Sequence, residues 1–255
     1  MIGYANCNTI IKLTHPIVYN VYNWHLDTNL YCLLFLYTYD NLIAKRMKGR
    51  WFNVHAIGNL IVSLSSLRAV VAALNDPINA LNTSMWKVGT VTSVTSVLPV
   101  CMINAIHLYH MLAFSNLTPQ DYFHHLLFIP CIGVPCQIFS SRAGVLGSYS
   151  CFFLSGFPGG VDYFLLFLMK NKYIEKIKEK QWNVFLNKWI RNPFILFSSF
   201  MQYIGYRYGF FDNKIILLTM VLTAYNCIHY NAQSVENYTF HKLVQQWTSS
   251  NTGVM

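Results

Sequence analysis

Charge is what this chain has least of. Asp and Glu together number nine in 255 residues and Lys and Arg eighteen, so charged side chains make up 11% while 54% are hydrophobic and mean hydropathy is +0.34. An ordinary soluble domain carries about a quarter of its residues charged, and this balance excludes that class. Paired cysteine motifs are missing too. Cys32, Cys101, Cys131, Cys136, Cys151 and Cys227 lie in apolar runs without a CxxC spacing, which argues against a disulfide or zinc framework and reads them as small buried hydrophobes. The stretch MIGYANCNTIIKLTHP has no basic region leading into a clean apolar run with a small-residue cleavage site, so no removable signal peptide is expected. Internal repeats, low-complexity tracts and a polar segment large enough for a soluble core are also lacking.

What the chain has is apolar runs of about 20 residues, the length that crosses a bilayer as a helix. Six are expected: Val54 to Leu74, Met85 to Ala113, Tyr122 to Ser140, Gly144 to Met169, Pro193 to Phe211 and Lys214 to Tyr230. A seventh, Ile17 to Tyr39, is interrupted by His25, Asp27 and Asn29. The expectation is an all-α polytopic membrane protein of six to seven spans. It is organised as an amino-terminal segment (1–50) with a basic loop, a membrane domain (51–242) and a polar tail (243–255).

Basic residues orient such a bundle, because positive loops stay cytoplasmic. Lys45, Arg46, Lys48 and Arg50 form one cluster, and Lys170, Lys172, Lys176, Lys178, Lys180, Lys188 and Arg191 another. Four expected spans lie between them, which puts both on one face, with the tail from Asn231, carrying His241 and Lys242, on the same side. Of the sequons at Asn82, Asn116 and Asn237, only Asn82 then falls on the opposite side. The net charge of +9 sits in short loops beside spans, so anionic lipid headgroups rather than nucleic acid are the expected partner. Trp182, Phe185, Leu186, Trp189 and Ile190 share a helical face and read either as an interfacial amphipathic helix or as a connecting helix packed on the bundle.

Ionisable groups within apolar runs are costly, about 2.5–3.5 kcal/mol for an aspartate on insertion scales, and mark candidate sites. Asp162 lies inside such a run, and His107, His110, His124 and His125 stand in neighbouring ones. All five fall toward the expected cytoplasmic face. His107 and His110 share a helical face, whereas adjacent His124 and His125 diverge by about 100°. Asp121 is within helical reach of both. Arg68 and Asn104 join His107 and His110 as candidate headgroup-binding residues, although Arg68 also reads as a snorkelling side chain and His55 as interfacial. Asp162 has a structural reading too, as the residue offsetting the dipole of a half-helix that resumes after Pro158-Gly159-Gly160. A metal-dependent oxidase, suggested by His107-x-x-His110 and the doublet, is disfavoured because His15, His25, His55 and His241 are too scattered to complete a ligand set. No metal and no cofactor are expected.

The segment Asp121-Tyr-Phe-His-His125, the later Asp162 with Lys170 eight residues on, and Leu222-Thr-Ala-Tyr-Asn226 before a basic tail resemble the TLC domain family, which includes the ceramide synthases and other lipid-handling membrane proteins. The resemblance spans about Trp51 to Lys242. It implies a helical bundle in the endoplasmic reticulum, a membrane lipid as partner, and His124, His125 and Asp162 as the catalytic set of an acyl-CoA-dependent N-acyltransferase. The synthases carry a His-Asp dipeptide and a later glutamate where this chain has Pro158-Gly159-Gly160 and Leu166. That departure favours a lipid-binding, sensing or transport protein on the same fold over the transferase.

Overall fold

The computed structural model describes residues 25–81, 88–89, 95–115, 117–138, 140–210 and 215–252. Among these residues the fold is all-α apart from a two-residue parallel pairing of Val88–Gly89 with Thr95–Ser96. The helices are α1 (Leu26–Leu42), α2 (Arg50–Asn75), α3 (Leu98–Ala113), α4 (Pro119–Phe128), α5 (Val134–Ile138), α6 (Ser140–Cys151), α7 (Phe157–Lys170), α8 (Lys176–Phe185), α9 (Asn192–Arg207) and α10 (Ile215–Thr252).

Three π-helical turns, Ile129–Gly133, Phe152–Gly156 and Leu186–Arg191, join α4 to α5, α6 to α7 and α8 to α9. Each ends two residues before a proline: Pro135, Pro158 or Pro193. A proline ring collides with the carbonyl four residues earlier, and those carbonyls, of Cys131, Leu154 and Trp189, all lie inside the π turns. The wider turn absorbs the collision and lets the helix run on. The helix therefore continues through Pro158-Gly159-Gly160, where the sequence suggests a break, and Asp162 lies in its second turn rather than capping a separate half-helix.

Two helical stretches among the described residues are long and apolar enough to cross a membrane, Arg50–Asn75 and Val145–Lys170. The other expected spans are shorter or more polar. Within the expected span from Met85, Val88–Gly89 and Thr95–Ser96 pair as short strands and helix opens at Leu98 with Pro99 in its first turn, while residues 85–87 and 90–94 lie outside the described residues. Conversely, α10 extends 38 residues and carries the expected polar tail as helix. The first part of the interrupted seventh span, residues 17–24, and the sequons at Asn82 and Asn116 lie outside the described residues.

Around two buried apolar clusters, one including Leu36, Val62 and Ile103 and the other Leu146, Tyr149 and Ile195, the outer faces of several helices are apolar as well, unlike those of a water-soluble bundle. On α2 the outward stripe is Leu60, Leu64, Leu67, Val71 and Leu74, whereas Asn59, Ser63 and Ser66 are buried. On α9, Leu196, Phe200 and Tyr203 face out while Ser198, Ser199 and Gln202 face in, and on α10 Leu218, Val221, Tyr225 and Ile228 face out while Thr219 and Thr223 face in. Inward hydroxyls on these helices are satisfied locally: Ser63 donates to the Asn59 carbonyl at 2.9 Å, Ser150 and Ser198 hydroxyls meet at 2.6 Å, and Thr223 donates to the Thr219 carbonyl at 2.8 Å. In water each outward Leu or Phe would forgo up to about 1.5–3 kcal/mol of burial. In hydrocarbon it forgoes nothing.

Close approach of α2 to the α6–α7 rod depends on Gly156 and Gly160, spaced as a small-xxx-small pair, with Gly159 between. A Cβ on Gly156 would lie 3.2 Å from the Ser63 backbone nitrogen, and one on Gly159 3.1 Å from Asn59 Nδ2. The two basic loops meet at one end of this pair, where Asn171 Nδ2 donates to the Lys48 carbonyl at 2.8 Å. The Lys48 and Lys170 ends of the two basic clusters therefore lie together.

Candidate functional site

A cavity of about 350 Å³ opens near that end, walled by α2, α3, α4, α7, α8 and α10. His107 and His110 enter from α3, His124 and His125 from α4, and Asp162 from α7, so the five residues singled out from sequence share one chamber. Local sequence explains the arrangement on α4. Thr118 and Asp121 form a reciprocal capping box, with Thr118 N–H donating to Asp121 Oδ2 at 2.8 Å and Asp121 N–H donating to Thr118 Oγ1 at 3.2 Å, and Pro119 opens the helix. This fixes the first turn just before the histidine doublet. Asp121 lines the cavity, but its carboxylate serves the cap.

The imidazoles contact one another. His107 Nε2 lies 3.4 Å from His124 Nε2, and His125 Nε2 lies 2.9 Å from His110 Nδ1. His107 Nδ1 faces the Ile103 carbonyl at 2.7 Å, and His124 Nδ1 faces the Tyr230 hydroxyl at 3.0 Å. His125 Nδ1 and His110 Nε2 are buried and have no hydrogen-bond partner among the described residues. One ring nitrogen from each of His107, His124 and His125 lies within 4.8 Å of the others. Asp162 accepts a short hydrogen bond from Asn183 Nδ2.

Two of the sequence candidates fall elsewhere. Arg68 is exposed on α2, outside the cavity wall. Asn104 is buried one turn from His107 but donates to Gln137 Oε1 at 2.9 Å, beside Gly133, so it pins α3 to the α4–α5 rod. Sequence reasoning also misses several wall residues. His55, expected at the interface, is buried, its Nδ1 3.0 Å from the Trp51 carbonyl and its ring 4.5 Å from that of Tyr163. Asn59, which accepts from Ser155 at 2.8 Å, forms part of the floor.

The stretch read as an interfacial or connecting helix supplies Glu179, Asn183, Asn187 and Arg191 to the wall. These recur every four residues opposite Trp182, Phe185 and Trp189, a polar stripe legible in the sequence. Arg191 donates to Asn187 at 2.6 Å. Burial pushes the Glu179 carboxyl above the usual glutamate range, against the attraction of Lys180, whose Nζ lies 3.2 Å away.

A second cavity of about 280 Å³ lies between α4 and α10, lined mostly by apolar side chains including Leu127, Ile132 and Leu222. His124, Phe128, Asn226, Tyr230 and Gln233 border both chambers. No family model, curated protein or solved structure matches the chain.

Proposed function

We propose that this chain is a multi-pass helical membrane protein that binds an amphiphilic lipid, headgroup in the histidine-lined chamber and acyl chain in the adjoining apolar cleft, in a role such as lipid sensing, transport or homeostasis. The observation that carries the reading is the shared wall of His124, Phe128 and Tyr230, where a polar compartment gives way to an apolar one as a lipid does along its length. The outward apolar stripes on α2, α9 and α10 support the membrane setting. The joined basic loops suit an anionic leaflet. An endoplasmic reticulum location belongs to the same proposal. Mass spectrometry of lipid extracted from detergent-purified protein tests it: a stoichiometric lipid in the wild type, lost in a Phe128→Trp variant that fills the shared wall, is the expected result. Lipid content equal in both, or only detergent-exchangeable lipid, overturns it.

One feature favours a second reading, N-acyl transfer from acyl-CoA. His124 stands where an acyl carbonyl would pass from the apolar to the polar chamber, suited to take a proton from an attacking amine as the carbonyl–nitrogen bond forms and the thiolate of CoA leaves. Asp162, held by Asn183, would then contribute at a distance, with Tyr230 as the group that orients His124. Incubation with a long-chain base and acyl-CoA distinguishes the readings. N-acylated product lost in His124→Ala supports transfer, and bound lipid without product supports the binding protein.

A further inference from the structure

We infer that His107, His124 and His125 form a binding site for a late first-row divalent metal ion, zinc by its coordination preferences. The site is argued from the imidazoles alone and does not rest on the lipid reading. A backbone carbonyl can only accept, so the contact of His107 Nδ1 with the Ile103 carbonyl at 2.7 Å places the proton on Nδ1 and leaves a lone pair on Nε2. That lone pair faces His124 Nε2 at 3.4 Å. Two imidazole nitrogens bound tetrahedrally to zinc at about 2.0–2.1 Å stand about 3.3–3.4 Å apart, so the pair already has the length of a tetrahedral edge. On His124, Nδ1 rests against the Tyr230 hydroxyl at 3.0 Å, and donation to that oxygen frees its Nε2 in the same way. Both rings thus have the outer partner that metal-ligating histidines use to fix tautomer and orientation.

The third ring supplies the independent sign. His125 and His110 share one proton along their 2.9 Å contact, and their outer nitrogens are buried without a partner among the described residues. Whichever ring donates, one of those outer nitrogens is an N–H and the other a bare lone pair. With His125 as donor, the bare lone pair is its own Nδ1. A buried acceptor with no donor costs about 1–3 kcal/mol, and a metal ion satisfies it. One ring nitrogen from each of the three histidines lies within 4.8 Å of the others, and all three rings line the cavity, so a further coordination position can open to its interior. Three neutral imidazoles without a carboxylate suit zinc, cobalt, nickel or copper and not magnesium or calcium.

The full chain, purified in detergent through a tag without histidine, stripped by chelator and titrated with Co²⁺, tests the site. The expected result is the intense visible absorption of tetrahedral Co²⁺ at one equivalent, displaced by Zn²⁺ and abolished in His107→Ala and His124→Ala. Tyr230→Phe, which keeps the ring packing and removes only the outer hydrogen bond, is expected to bind about 10–100-fold more weakly. It also carries the test if the histidine variants fail to fold. Wild-type protein that elutes as folded yet gives no such absorption overturns the proposal. So does full affinity in His107→Ala, His124→Ala and Tyr230→Phe alike.

Discussion

The Tyr109 hydroxyl donates a 2.6 Å hydrogen bond to Asp40 Oδ2, on the carboxylate that Arg50 grips with both Nε, at 2.7 Å, and Nη2. Three helices meet in this contact: Asp40 from the end of α1, Arg50 from the start of α2 and Tyr109 from α3. Burial of Asp40 raises its proton affinity, but the hydrogen bonds and charge of Arg50, with the Tyr109 hydroxyl, outweigh it and hold the carboxyl below the usual aspartate range. Asp40→Asn is expected to destabilise the bundle by about 2–4 kcal/mol, near the low end for a broken buried pair because Arg50 is partly exposed. A carboxyl whose folded value is depressed stabilises fully above its unfolded value and loses that contribution as pH falls through the folded one. The gap in detergent unfolding between wild type and Asp40→Asn should therefore narrow as pH drops below about 4. A gap independent of pH would mean that the carboxylate charge is not what Arg50 and Tyr109 stabilise.

Glu179 has the opposite sign. Its carboxyl is raised by burial, so the folded state holds a proton that the unfolded state has already released. Its contribution to stability therefore falls as pH rises from the unfolded value, about 4.3, to the raised folded value. Glu179→Gln is expected to stabilise the protein at neutral pH, with a gain that grows across that window and then levels off. Loss of stability at pH 7 would show that the ion pair with Lys180 outweighs the cost of burying the charge.

These two sites also mark how far the sequence can be read. Apolar runs and rare ionisable residues are enough to find α2, to single out His107, His110, His124, His125 and Asp162 as neighbours and to put both basic clusters at one end. Helix ends are harder. The expected span from Met85 contains the short pairing of Val88–Gly89 with Thr95–Ser96, where Val and Thr favour extended backbone, and helix begins only at Leu98. Pro158 reads as a break because a π turn cannot be inferred from local composition. Glu179 escapes for a related reason: the stripe Glu179, Asn183, Asn187, Arg191 is visible, but its neighbours Trp182 and Trp189 suggest an interface. Only the neighbouring helices determine which face is covered.

The contact between α2 and α7 gives a packing test. Gly156 sits where any Cβ would press within 3.1–3.2 Å of Ser63 and Val62, and a Cβ on Gly160 would meet Asn59 at 3.4 Å. Gly156→Leu would force the helices apart and strip Asn59 of its bond from Ser155. The expected loss is about 1–3 kcal/mol or more, together with a weakened lipid or metal signal, since Asn59 and Ser155 line the cavity. Gly209 is the wrong control: a Cβ there would meet nothing within 4 Å, but its φ of +76° penalises any side chain. An outward position such as Leu64→Ala is the suitable one. In a membrane it should leave both stability and binding close to wild type.

Lys48 and Asn171 define the sidedness of the molecule. The 2.8 Å hydrogen bond between them joins loops 123 residues apart in sequence, and a Cβ on Gly49 would lie 3.3 Å from Lys170 Cβ. A Lys48→Cys, Asn171→Cys pair in a background with the native cysteines replaced should cross-link under mild oxidation. In sealed vesicles each single variant should react with an impermeant thiol reagent from the same side. On the proposed membrane reading, the positive-inside rule predicts a cytoplasmic side there, since Lys45, Arg46 and Lys48 belong to one loop and Lys170 and Lys172 to the other. Asn237 borders the chamber near that end, so its sequon should carry no glycan. Labelling of the two cysteines from opposite sides, or glycan at Asn237, would require a different number of membrane crossings between the loops and would undo the shared chamber on which the site depends.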